Sequence, residues 1–154
     1  MKGEKAVANY DEDSLTMATE ACLSCLGGRE PKEIGGLYFA TTSSPYREKQ
    51  GATTIATFAD FGRDVRTADF TDTLRAGTTA IITALDSILA GTAQKAMVVA
   101  SDCRMGEPDS PEEQLYGDAA GAVLLGKDPG IAEILGTYTL MDEFTWAWRT
   151  ADRN

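Results

Sequence analysis

One segment, residues 65–90, constrains the fold more than any other part of the chain. Residues 65–70 are short and apolar enough for a buried strand. The second half of the segment carries a wide apolar stripe at helical spacing, formed by Ala76, Ala80, Ile81, Ala84, Leu85, Ile88 and Leu89. Gly91 follows as a C-terminal stop. The pattern predicts a strand, a sharp turn, and a helix over residues 74–90 that is buried between layers.

The turn between this strand and helix is a natural place for reactive chemistry. Free N–H groups and the helix dipole favour an anion at a helix N-terminus, and a thiolate is stabilised in the same way. The residue expected on the turn is Leu74, which has no nucleophilic atom. The functional interpretation depends on that residue.

The remaining sequence predicts an alternation of helices and strands. Asp13 is the expected N-cap of a first helix that ends at Gly27, and residues 52–61 form a second, with Ile55, Phe58 and Ala59 facing inward. Further strands are expected at 37–41, 96–100, 119–125 and 131–140, the last two adjacent along the chain. This order predicts an α/β fold, with a mainly parallel sheet, an antiparallel end and helices on both faces.

Ligands of such sheets bind beyond the carboxyl ends of the strands. Those ends are expected at residues 41–44, 70–74 and 101–104. We therefore expect the candidate site where these three segments meet.

Composition excludes several classes of function. The 154 residues fit one domain, and the net charge of −10 with no Lys or Arg cluster argues against a nucleic-acid partner. No apolar run approaches the roughly 20 residues of a membrane span, and the first residues lack the apolar core of a signal peptide. Three cysteines without an even framework predict reduced thiols and a cytoplasmic protein.

Several motifs resemble the thiolase superfamily. Residues 65–81, V-R-T-A-D-F-T-D-T-L-R-A-G-T-T-A-I, resemble its nucleophile segment. Residues 117–125, G-D-A-A-G-A-V-L-L, resemble the glycine-rich strand of 3-ketoacyl-ACP synthase III and hydroxymethylglutaryl-CoA synthase, and residues 97–103 resemble the strand before it. The loop T-S-S-P-Y-R-E-K, residues 42–49, resembles archaeal-type hydroxymethylglutaryl-CoA synthases.

The resemblance implies a thiolase-like fold and condensing chemistry on acyl-CoA thioesters. In that family a turn cysteine is acylated, a histidine polarises the incoming carbonyl, and a glutamate is the general acid and base. Here Leu74 stands at the cysteine position, Thr42 at the glutamate position, and the chain contains no histidine. The same resemblance implies that residues 1–154 form one incomplete half of the fold, an N-terminal domain whose opening strand and second half are absent.

Four residues remain as candidates for the site. Asp102 matches an aspartate beside the family's active site, and its alternative role is that of a hydrogen-bonded turn residue. Cys103 follows it at the strand end, either as a displaced nucleophile or as an ordinary thiol. Arg47 and Lys49 are candidates for contacts with the phosphates of a coenzyme A thioester, and their alternative is a solvated loop.

Other polar and aromatic residues have simpler interpretations. Cys22 and Cys25 have C-x-x-C spacing but lie on an amphipathic helix, and three cysteines without histidine do not complete a zinc site. We therefore expect buried structural thiols and no metal. Trp146 and Trp148 alternate as on a strand, where they face a partner or cap the core.

Two functions from different classes stay open. The chain is part of an acyl-CoA condensing enzyme whose remainder is supplied elsewhere or lost, or it is a non-catalytic thiolase-fold subunit that binds a partner or an acyl thioester. The strand at 65–70 resembles the one that pairs across the two-fold axis of thiolase dimers, so we expect a homodimer there. A second chain that completes the thiolase fold is a further candidate partner.

Overall fold

The computed structural model describes residues 4–143 and residue 145. The expectation for Trp146 and Trp148 lies outside these residues. The helices are α1 Ser14–Leu26, α2 Gly51–Phe58, α3 Ala76–Leu89 and α4 Pro111–Leu115, and a short 3₁₀ turn spans Pro31–Glu33. The strands are β1 Gly36–Ala40, β2 Arg66–Phe70, β3 Lys95–Asp102 and β4 Ala119–Gly126.

The four strands form one mixed sheet in the order β2-β1-β3-β4. β1 pairs in parallel with both β2 and β3, whereas β3 and β4 are antiparallel. The predicted α/β class, with a mainly parallel sheet and an antiparallel end, is confirmed. Because β1, β2 and β3 run in the same direction, their carboxyl ends meet at one edge of the sheet.

Helices cover both faces of the sheet, as predicted. α1 and α2 pack on the face that carries Leu37, Phe39 and Met97, and α3 packs on the opposite face against Tyr38 and Val98. Among the described residues, no helix combines the length and the apolar content that crossing a bilayer requires.

The first helix begins and ends where the sequence predicts. The carboxylate of Asp13 accepts hydrogen bonds from the N–H groups of Leu15 and Thr16, and the Thr16 hydroxyl completes a capping box. Gly27 ends the helix in the left-handed conformation, with φ of 53°. The expected inward residue Cys22 is fully buried.

The second helix is shorter than predicted, and the prediction that Phe58 faces inward is wrong. α2 ends at Phe58, which is 73% exposed, rather than continuing to residue 61. Asp60 then adopts a φ of 56°, and this change of direction brings Phe61 into the core at 8% exposure. The backbone turn, not the helical period, decides which phenylalanine is buried.

The third helix is buried on one side only. Ala76, Ala80, Ala84 and Ile88 contact the sheet, while Leu89 at the end of the predicted stripe is 68% exposed. The prediction of a helix buried between two layers is therefore wrong for the described residues, because the sheet is the only layer against which α3 packs.

The predicted strand at residues 131–140 is also wrong. The described structure has no helix or strand in this segment, and its residues are exposed. An apolar sequence such as this forms a strand only where a neighbouring strand accepts its backbone bonds, and the sheet ends at β4. The acidic segment 104–116 includes the one-turn helix α4.

Candidate functional site

A cleft of about 490 Å³ lies at the carboxyl edge of the sheet. It brings together the three predicted strand ends and the start of the glycine-rich strand β4. The residues that line it are Ala40, Thr41, Thr42, Thr73, Leu74, Ala76, Gly77, Ala100, Ser101, Asp102, Ala119, Ala120 and Gly121. Most of these side chains are small, so the backbone itself forms much of the cleft floor.

Asp102 holds the loop that follows β1. Its Oδ1 accepts hydrogen bonds from the Thr42 N–H at 2.6 Å, the Thr41 and Thr42 hydroxyls at 3.1 Å, and the Ser43 hydroxyl at 3.2 Å. The Ser43 hydroxyl in turn accepts the Cys103 N–H at 2.9 Å. Hydrogen bonds to a carboxylate are strong, so Asp102 fixes Thr42 at the cleft by linking the ends of β1 and β3.

A second buried contact anchors the same loop. The Ser14 hydroxyl at the start of α1 donates to the Ser43 backbone oxygen at 2.7 Å, and Ser14 is only 1% exposed. The loop that carries Thr42 is therefore held from the helix layer as well as from the neighbouring strand. The sequence signal for this contact, a serine directly after the N-cap Asp13, is too common to predict it.

The turn between β2 and α3 places Leu74 in the cleft. Asp72 adopts a φ of 62°, a conformation that aspartate tolerates better than most residues, and the Ala76 N–H donates to the Thr73 backbone oxygen at 3.1 Å. The side chain of the N-cap residue Arg75 makes no capping hydrogen bond, and the Thr73 hydroxyl accepts the Arg75 N–H at 3.2 Å. Leu74 lies there, 68% exposed, and offers only an aliphatic surface to a ligand.

Cys103 lies directly after β3, outside the set of residues that line the cleft. Partial burial raises the pKa of its thiol, and the negative charge of Asp118 raises that pKa further. A thiol in this environment stays protonated at neutral pH, whereas nucleophilic attack requires the thiolate.

Arg47 and Lys49 line a second cleft of about 660 Å³ beside the first. Thr42 contributes to both clefts. The Lys49 ammonium lies 4.7 Å from the centre of the Tyr46 ring, which stabilises its position by a cation–π contact. Glu48, Asp69 and Asp72 line the same cleft, so its two cations are accompanied by carboxylates.

Sequence reasoning missed Asp69, which positions the wall of this second cleft. Its two carboxylate oxygens accept the N–H groups of Gly51 at 2.6 Å and Ala52 at 2.7 Å. The carboxylate therefore caps the N-terminus of α2 from the neighbouring strand β2. An acidic residue within a strand was the available signal, but a cap supplied from 17 residues away is not visible in local sequence.

Three comparisons with known proteins agree with this geometry. The sequence model of the 3-oxoacyl-[acyl-carrier-protein (ACP)] synthase III family matches residues 68–142. The chain is 32% identical to the hydroxymethylglutaryl-CoA synthase of Methanocella arvoryzae over 150 residues, which is 97% of this chain and 43% of the relative. It is 33% identical over 148 residues to that of Methanocaldococcus jannaschii, covering 95% of this chain and 43% of the relative.

Solved structures show the same fold. MvaS in complex with 3-hydroxy-3-methylglutaryl coenzyme A matches with a TM-score of 0.75 and 25% identity, over 79% of this chain and 30% of that one. The 3-oxoacyl-(acyl-carrier protein) synthase from Burkholderia xenovorans matches with a TM-score of 0.76 and 19% identity, over 82% of this chain and 38% of that one.

The chain spans less than half the length of the curated relatives that it matches. The shared part contains the sheet edge, the Leu74 turn and the glycine-rich strand described above. Over this part of their length, the chain has a thiolase-like fold and is similar in sequence to hydroxymethylglutaryl-CoA synthases and to the 3-oxoacyl-ACP synthase III family.

Proposed function

We propose that this chain is a non-catalytic thiolase-fold subunit that binds an acyl-CoA thioester at the carboxyl edge of its sheet. The observation that carries the proposal is Leu74, which lies in the cleft just before the N-terminus of α3. A leucine cannot form a thioester bond, so the position that resembles the acylated cysteine accepts a ligand only by apolar contact. Thr42, at the position that resembles the glutamate, has no carboxylate to move a proton.

The chemistry around the cleft supports binding rather than condensation. Acyl transfer needs a nucleophile with a base within hydrogen-bond reach. The raised pKa of Cys103 opposes a thiolate, and the sequence contains no histidine. Asp102 accepts four hydrogen bonds from the loop at 41–43, so its role in the proposal is to position that loop.

The proposed ligand is an acyl thioester of coenzyme A, because one structural neighbour was solved with 3-hydroxy-3-methylglutaryl coenzyme A. The two clefts share Thr42, which suits a ligand with an acyl end and a charged end. We assign the acyl end to the cleft at Leu74 and the phosphates to Arg47 and Lys49.

Acetyl-CoA binding and acylation are measured separately to test the proposal. Calorimetry on the full chain should show binding that Arg47→Ala weakens about tenfold, as expected for loss of a charge-assisted contact. Arg63→Ala is the matched control, since Arg63 is exposed and lines neither cleft. Mass spectrometry should detect no acyl group on the wild type, and at most slow acylation of Leu74→Cys. Acylation of wild-type Cys103 would contradict the proposal.

A second candidate is part of a condensing enzyme whose missing groups come from another chain. Its support is the similarity to hydroxymethylglutaryl-CoA synthases, which extends over 97% of this chain. This candidate predicts that a purified complex with the second chain condenses acetyl-CoA, and that Leu74→Cys in the complex accelerates the reaction. A complex that binds acyl-CoA without turnover favours the non-catalytic role.

We infer further that the chain forms a homodimer through residues 65–70 in the cytoplasm. In support, β2 is an edge strand of the sheet, and an open edge favours pairing with another chain. The described cysteines are free thiols, which suits a reducing compartment. Sedimentation at micromolar concentration should give the dimer mass. A monomer whose amides at 65–70 exchange freely would contradict it.

A further inference from the structure

The open edge of β2 presents few backbone groups to a partner. The Arg66 N–H donates to the Gly35 oxygen, and the Phe70 oxygen accepts the Thr41 N–H, both at 3.0 Å. Residues 66 and 70 therefore direct their backbone groups toward β1. Since successive residues of a strand direct these groups to opposite sides, Thr67 and Asp69 present theirs to the open edge. A strand that adds to this edge must bond to these two residues.

One of these groups is already occupied by a side chain of the same molecule. The Gln50 Nε2 donates to the Thr67 backbone oxygen at 3.2 Å, which is the bond that an incoming strand would supply. The Gln50 Oε1 accepts the Thr67 hydroxyl at 2.7 Å and also the Thr53 hydroxyl. The primary amide of Gln50 therefore substitutes for the peptide group of a missing neighbour.

The position of Gln50 is itself fixed by the edge strand. Gln50 directly precedes α2, whose first two N–H groups are held by the carboxylate of Asp69. Asp69 and Thr67 lie two residues apart on the same side of β2. Asp69 therefore binds the first N–H groups of α2, while Thr67 binds the Gln50 side chain just before the helix. This arrangement keeps the Gln50 side-chain amide beside the Thr67 carbonyl, which points to the open edge.

We propose that Gln50 guards the edge of β2 and competes with strand pairing at Thr67. The proposal rests on the homodimer through residues 65–70 and names a residue that controls it. Pairing of two copies across this edge requires both Gln50 side chains to release their Thr67 oxygens. The guard, which is the hydrogen bond from Gln50 to the Thr67 oxygen, therefore weakens self-association. Only a strand that displaces this exposed side-chain hydrogen bond can pair with the edge.

The test compares the wild type with Gln50→Ala over a concentration series in the analytical ultracentrifuge. Gln50→Ala should lower the dimer Kd by about 25-fold, because two guards are removed per dimer and each net hydrogen bond is worth roughly a factor of five. Thr53→Val, which removes one hydroxyl that orients Gln50, should lower it less. Gln114→Ala, at an exposed position of α4, is the control and should leave the Kd unchanged.

Hydrogen exchange at Thr67 and Asp69 and a far-UV spectrum of each variant complete the experiment. Slower exchange of both amides in the Gln50→Ala dimer supports the guard. Equal Kd values for the wild type and Gln50→Ala overturn the guard but do not contradict the dimer. Weaker association of Gln50→Ala also overturns it, since Gln50 would then be part of the contact. Monomers in every sample overturn both the dimer and the guard.

Discussion

The two faces of the sheet carry different residues, and helices cover them to different extents. The face under α1 and α2 is filled by large side chains, including Leu37, Phe39, Ile55 and Phe61. The face under α3 is filled mostly by alanines, with Tyr38, Ile88 and Val98 among them. Among the described residues, two helices close the first face, whereas α3 alone covers the second face and leaves Val123 of β4 47% exposed.

This difference explains where the candidate site lies. Alanines let a helix approach a sheet closely, so the start of α3 reaches the strand ends and Leu74 enters the cleft with Ala76 and Gly77. Large side chains on the other face exclude water and supply most of the apolar burial. We call the face under α1 and α2 the filled face and the face under α3 the alanine face. We therefore expect the filled face to determine the stability of the fold and the alanine face to determine the geometry of the site.

The largest expected effect is at the centre of the filled face. Phe39 is fully buried, and a Cβ on Gly51 would lie only 2.8 Å from its ring, which shows how closely the ring packs on α2. Phe39→Ala should lower the free energy of unfolding by about 3–5 kcal/mol, measured by chemical denaturation. Phe58→Ala is the matched control, since Phe58 is 73% exposed. Equal losses in both variants would contradict the assignment of the core.

A smaller effect is expected when the alanine face is overfilled. Ala84 is fully buried between α3 and the sheet, so Ala84→Leu should displace the helix and cost about 1–3 kcal/mol. The exposed Thr78 on the same helix is the control position, where Thr78→Leu should have little effect. If Ala84→Leu were neutral, α3 would not lie as close to the sheet as the alanines indicate.

Local signals predicted much of this fold. The N-cap at Asp13, the stop at Gly27 and the continuous apolar run of β3 each depend on residues that are adjacent in sequence. The three strand ends that form the cleft followed from the order of the elements, because parallel strands place their carboxyl ends at one edge.

One error came from a local backbone turn, and the others came from the presence or absence of contacts with distant segments. Phe61 replaces Phe58 in the core because Asp60 reverses the chain. Leu89 and residues 131–140 have apolar sequences but are exposed in the described chain. The cap of α2 by Asp69 and the guard at Gln50 join segments that are 17 or more residues apart, so no local pattern contains them.

The alkaline stability of the chain tests how well the filled face excludes water. Burial, with a further contribution from Cys25, raises the pKa of the Cys22 thiol from 9.0 to about 12. Above pH 9 the unfolded chain loses this proton while the folded chain keeps it, so stability falls as the pH rises from about 9 toward 12. Between pH 8 and pH 10 the wild type should lose about 1 kcal/mol more than Cys22→Ala. Parallel pH profiles would mean that water reaches the thiol.

The smallest effect is expected on the outer side of α3, at Leu89. The apolar stripe of the sequence includes this residue, yet it is 68% exposed and lies beyond the last sheet contact of the helix, at Ile88. An exposed leucine contributes little to folding, so Leu89→Ser in the purified chain should change the free energy of unfolding by less than about 0.5 kcal/mol. Ile88→Ala, one residue earlier, should cost about 2–4 kcal/mol because Ile88 is 3% exposed. A loss above about 1 kcal/mol for Leu89→Ser would show that the outer side of α3 is covered in solution, and that the alanine face is part of a thicker structure than the sheet and one helix.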